Sequence, residues 1–118
     1  MKANPAMRAF ALLTPLLLAA ACQPASPTER QADAIEDAAD NRADAIEQAA
    51  DNVSDRMEAE ADALRNQAAQ AGGYTAERLK TRANALEREA DIVEDQGETQ
   101  AEAVRDAADG QAGAIRGR

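Results

Sequence analysis

From Ile35 onward every eleventh position of the chain is apolar: Ile35, Ile46, Met57, Ala68, Leu79, Ala90, Ala101 and Ala112. Eleven residues make three turns at about 3.67 residues per turn, so such positions form a nearly straight stripe along a helix. Asp33, Asp37, Asp40, Asp44, Asp51, Asp55 and Asp62 recur in steps of three, four and seven on another side of the same helix. Ser26-Pro27-Thr28-Glu29 has the form of a capping box, with Ser26 as N-cap, proline at the first helical position and Glu29 positioned to reach back. No Gly or Pro then occurs until Ala71 has passed. Gly72-Gly73-Tyr74-Thr75 interrupts the pattern. Two glycines cost a helix interior roughly 2 kcal/mol relative to alanine and suit a helix end, and Thr75 can cap a following helix. The pattern predicts helix over 28–71, a turn at 72–75 and a second helix over 76–109. A tail over 110–118 is expected to fray, because Gly110, Gly113 and Gly117 weaken it.

The phrase Ala-x-Ala-(Ile/Leu/Val)-(Glu/Arg) occurs six times, and its large residues are Ile35, Ile46, Leu64, Leu86, Val104 and Ile115. Their spacings, 11, 18, 22, 18 and 11, read the same in both directions, and Met57 and Val93 fit the same mirror. The mirror centre is position 75, inside the glycine break. An antiparallel hairpin gives this symmetry a physical cause, because each large residue then meets a large residue across the seam. The expected fold is therefore all-α, an elongated antiparallel helical hairpin or coiled coil with an 11-residue repeat. Its expected seam is Ile35, Ile46, Met57, Leu64, Leu86, Val93, Val104 and Ile115. The alternative is one long continuous helix, since steps of 11 and 18 also keep one stripe on an unbroken helix.

Composition narrows the functional classes. The chain has 118 residues, no His, no Trp, one Cys, one Tyr and one Phe, and much of its 45% hydrophobic content is Ala. Two Ala-rich helices bury little surface, so a further helical surface is expected, either a homo-oligomer or a helical protein partner. Beyond residue 21 there are 11 basic and 22 acidic residues, a net charge of about −11, which disfavours nucleic acid. Ser26 and Ser54 lack a base partner, and general acid–base chemistry by the many carboxylates needs an enclosed pocket that a two-helix rod does not provide. No catalytic, cofactor-binding or metal-binding residue is therefore expected, and the Asp stripe reads as a solvated acidic face that does not converge on a cation.

The leader MKANPAMRAFALLTPLLLAAAC has Lys2 and Arg8 before an apolar run from Ala9 to Ala21. Thirteen residues are too few to cross a bilayer, which takes about 20, but they suit a signal peptide over 1–21. The sequence LLLAAAC resembles the lipobox of bacterial lipoproteins. That resemblance implies cleavage before Cys22 and lipidation, palmitate included, of its thiol. Gln23 in place of Asp after the Cys implies outer-membrane placement facing the periplasm. Gln23 to Pro27 would then be an extended tether, since two prolines disfavour helix.

With a lipid-ready Cys22, a short tether and Ala-rich helices, the plan resembles the small alanine-zipper and murein lipoproteins. It implies a membrane-anchored structural or interaction lipoprotein of the cell envelope, acting as a helical spacer or scaffold, with Tyr74 near a distal tip. In that family a C-terminal Lys can be joined to peptidoglycan. This chain ends Ile115-Arg116-Gly117-Arg118 and has Lys80 as the one Lys beyond the leader, so covalent peptidoglycan attachment is not expected. A second resemblance is to late-embryogenesis-abundant stress proteins, carried by the repeat RADAIEQAADN at 42–52. It implies the alternative function of a stress-protective, conditionally folded protein.

Overall fold

The structure, a computed structural model, describes residues 24–118. The proposed signal peptide, the Cys22 lipidation site and Gln23 lie outside the described residues. Pro24 to Ser26 are not helical, and two helices of equal length follow: α1 (Pro27–Gln70) and α2 (Gly73–Arg116), each of 44 residues. They pack along each other as an elongated antiparallel hairpin, about 66 Å long at about 1.5 Å per residue. A single continuous helix is excluded.

The start of α1 forms the capping box. The Glu29 amide donates to Ser26 Oγ at 3.1 Å, and the Ser26 amide donates to Glu29 Oε2 at 2.8 Å. The turn is tighter than the sequence suggests. Only Ala71 and Gly72 separate the helices, and Gly73, at φ 54°, opens α2. The left-handed region strains any residue with a Cβ, which explains glycine at 73. Gly72 is the N-cap of α2 without a side-chain capping bond, so Thr75 lies in the first turn and not at the cap. At the other end α2 does not fray from residue 110 but runs to Arg116. Glycine propensity is overridden there by two tertiary anchors: Ala112 is fully buried, and Arg116 bridges to α1.

The seam is built of small residues. Ala32, Ala39, Ala43, Ser54, Ala61 and Ala68 are buried on α1. Ala76, Ala83, Ala90, Gly97, Ala101, Ala108 and Ala112 are buried on α2. Steps of seven dominate near the turn, and alternating steps of seven and four, which add to eleven, appear toward the open end. Of the eight large residues expected to fill the seam, only Leu64 is buried, at 9% exposure. It clusters with Ala61, Ala83, Leu79 and Leu86. Ile35, Ile46, Met57, Leu86, Val93, Val104 and Ile115 are half-buried and flank the seam. Backbones that approach over alanine leave no room for a branched side chain between them, so the large residues move to the edge. Ile35 and Val104 line one shallow groove beside the seam, and Ile46 and Val93 line another.

The helices approach closely at Gly97, where an added methyl would overlap the Cβ of Ala50, whereas at Gly110 it would meet nothing within 4 Å. Two identical substitutions should therefore have opposite signs. Gly110→Ala gains helix propensity, up to about 1 kcal/mol. Gly97→Ala overpacks the seam and should cost about 1–3 kcal/mol, with partial recovery in the double variant Ala50→Gly/Gly97→Ala. Thermal unfolding followed by circular dichroism checks all three.

Candidate functional surfaces of the hairpin

The six repeated phrases divide into three mirrored pairs, and each position of the phrase has its own structural task. The first alanines, Ala32, Ala43, Ala61, Ala83, Ala101 and Ala112, are all fully buried in the seam. The fourth residues flank it on one side. The fifth residues form ion pairs on the other, always Glu with Arg across the hairpin: Glu36 with Arg116, Glu47 with Arg105, and Arg65 with Glu87. The Asp residues of the acidic stripe complete these clasps. Arg116 holds Glu36 with both oxygens, at 2.6 and 2.9 Å, and Asp33 at 2.8 Å. Arg105 reaches Glu47 at 2.7 Å, Asp44 at 2.9 Å and Asp40 at 3.6 Å. Arg65 adds Asp62 at 3.3 Å and the Asn84 side-chain oxygen at 3.4 Å. The Arg116–Glu36 pair is bidentate and charge-assisted, the geometry in which a surface ion pair is strongest. The Glu36 carboxyl lies below its ordinary pKa because of the Arg116 hydrogen bonds, and Glu87 likewise because of Arg65.

The middle of the rod has the opposite electrostatics. The Glu94 pKa is raised, first by partial loss of solvent and then by the carboxylates of Asp51, Glu98, Glu58 and Asp91. Asp51 and Glu94 come from different helices and line one shallow acidic depression with Glu47 and Glu98. Among the described residues no group of three or more His, Cys, Asp or Glu is placed to hold a metal ion. The hairpin is thus clasped by arginine near its open end, at mid-length and near its turn, with like charges opposed between the Arg105 and Arg65 clasps.

The side away from the clasps is apolar. Ile35 and Val104 line one groove, and Ile46, Val53 and Val93 line the next. At the far end the turn residues Gly72, Gly73, Tyr74 and Thr75 are all exposed. Tyr74 is 78% exposed, and the Arg78 guanidinium lies 5.9 Å from its ring centre, within range of a weak cation–π contact. Among the described residues no helix is long and apolar enough to cross a membrane.

The three Glu–Arg pairs escaped the reading of the sequence, although the signal was present. The fifth position of the phrase reads Glu, Glu, Arg before the turn and Glu, Arg, Arg after it. Reversing the second half and reversing its charges reproduces the first.

The opposed shifts set a pH response with two signs. Glu36 and Glu87, with lowered values, contribute stability above the ordinary carboxylate pKa, and it is lost as pH falls through their folded values. Glu94, with a raised value, opposes folding when ionised, and this is relieved as pH falls through its folded value. Glu94→Gln should therefore raise the melting temperature at neutral pH, and the gain should vanish near about pH 4, where the wild-type carboxyl is largely protonated. Melts of both chains across that range test it. Comparison of the chain with protein-family models, curated proteins and solved structures finds no match, so the residues described above carry the functional argument.

Proposed function

We propose that the protein is a lipid-anchored structural spacer or scaffold of the bacterial cell envelope. On this reading Cys22 carries the lipid, Gln23 to Ser26 form the tether, and the hairpin projects into the periplasm. The observation that carries the reading is the level geometry of the open end. Because both helices have 44 residues, the tether and the C-terminus share one end, and the turn with Tyr74 stands about 66 Å away. A rod attached at one end and presenting a short loop at the other holds something at a fixed distance.

The protein is, on this reading, no enzyme, and its surface needs no cofactor. The three matched Glu–Arg pairs favour a spacer over a stress protectant that folds only when water is removed. They specify one register between two helices, a requirement that a drying-induced single helix does not have.

Cys22→Ala is the direct test. The wild-type chain should incorporate radiolabelled palmitate and fractionate with membranes, and the variant should do neither. Equal labelling of the two chains, or a variant that stays in the membrane fraction, would reject the anchor.

A further inference from the structure

We propose that the apolar side of the hairpin docks a second copy of the same chain, face to face, giving a four-helix bundle. This goes beyond the spacer reading and does not depend on the lipid anchor.

The first support is the distribution of charge. The chain is 30% charged, yet of the sixteen residues lining the two apolar grooves only Arg42 carries a charge. On α2 the rim is made of glutamines, Gln96, Gln100 and Gln111, where most of the exposed surface carries Asp, Glu or Arg. Depletion of charge at the centre of a patch distinguishes an interface from general surface. Solubility alone does not require this arrangement, because glutamate has a helix propensity equal to that of glutamine.

The second support is continuity. Among the described residues Ile92 is one of two exposed large hydrophobic residues, at 53% exposure. It lines a shallow site with Asp95, Gln96, Thr99 and Gln100, and the two glutamines also border the Val93 groove. Through these glutamines the surface beside the seam continues to Ile92 on the outer side of α2, bounded there by Asp95, where the hairpin itself has nothing to cover the isoleucine.

The third support is size. From Ile35 to Val53, the stretch the two grooves cover, the side is about 27 Å long, and two helices about 8 Å apart present a width of roughly 18 Å; beyond it the Glu60–Arg82 ion pair crosses the hairpin. The product is on the order of 500 Å² per copy, about 1,000 Å² in total, the lower limit for a specific interface.

The occupant follows from the same features. A second copy brings an identical neutral face, and its acidic side, clasped by Arg65, Arg105 and Arg116, points away. Two hairpins, each carrying about −11 over residues 24–118, meet with least repulsion through the stretch whose lining holds no carboxylate. A lipid surface fits less well, because helices lying in a membrane interface combine Trp or Phe with flanking Lys and Arg. This face has no aromatic residue and the single Arg42. The resulting contact is isologous and closes on itself as a dimer.

The test adds charge without touching the fold. Gln96→Glu/Gln100→Glu/Gln111→Glu changes three exposed side chains to near-isosteres of equal helix propensity. The full chain is purified as cells process it, in a non-ionic detergent, and its protein mass is measured by light scattering at micromolar concentration. The wild type should have the mass of two chains. The triple variant should have the mass of one, with unchanged helicity and a dimer weaker by about tenfold or more. If the triple variant loses helix, Gln100→Glu alone should still weaken the dimer measurably. A wild type with the mass of one chain, or of three or more, overturns the proposal. So does a triple variant that stays dimeric. Loss of binding to phosphatidylethanolamine–phosphatidylglycerol vesicles in the variant, with a monomeric wild type, would assign the face to lipid instead.

Discussion

Close approach of two helix backbones over alanine is the constraint from which the rest of the structure follows. Fully buried Ala32, Ala43, Ala61, Ala83, Ala90, Ala101 and Ala112 leave little space between the helices, and Ser54 and Gly97 occupy the same kind of position. Alanine buries little apolar area, so this seam gains less from the hydrophobic effect than one of leucine. It gains through dispersion contacts at short range. Such contacts do not choose among registers, because one alanine resembles the next. Something else must choose, and the arginine clasps do. A slip of either helix would part Glu36 from Arg116, Glu47 from Arg105 and Glu87 from Arg65 together, leaving three arginines without their matched partners.

That division of labour gives the rod two unlike sides. Along the open-end half of the rod, residues adjacent to the seam are apolar on one side and ionised on the other. Ile35 and Glu36 are neighbours in sequence, yet they flank opposite edges of the seam, since about 100° of helical rotation separates them. The same holds for Ile46 and Glu47, Val104 and Arg105, and Ile115 and Arg116. One edge holds the hairpin in register, which leaves the other available for contact with something outside it.

How much of this the sequence disclosed depends on which force decided each feature. The capping box at Ser26, the glycine break and the antiparallel fold were readable, because local chemistry and mirror symmetry both pointed to them. The seam was read one step away from its true position. Large residues normally mark a core, but here Ile35, Ile46 and Val104 flank it, and the alanines three positions earlier fill it. Helix propensity misled at the C-terminal end, where Gly110 and Gly113 suggested fraying. Ala112 and Arg116 hold that end through contacts some 80 residues distant in sequence, which no local rule detects. Among the candidate surface features, Tyr74 at the tip was anticipated. The charge-depleted side was not, since it emerges only when the faces of two helices are viewed together.

The equal length of the two arms also limits how such a molecule can change size. An inserted segment in one helix would shift every later alanine and every later arginine away from its counterpart. Length can be altered without loss of register only by adding or removing a unit on both arms at once. An 11-residue unit in each arm preserves the stripe and its charge complement, and changes the reach by about 16 Å. On the proposed spacer reading the rod is a ruler with coarse graduations: its span can take a few discrete values, and any structure it holds apart must accommodate those steps.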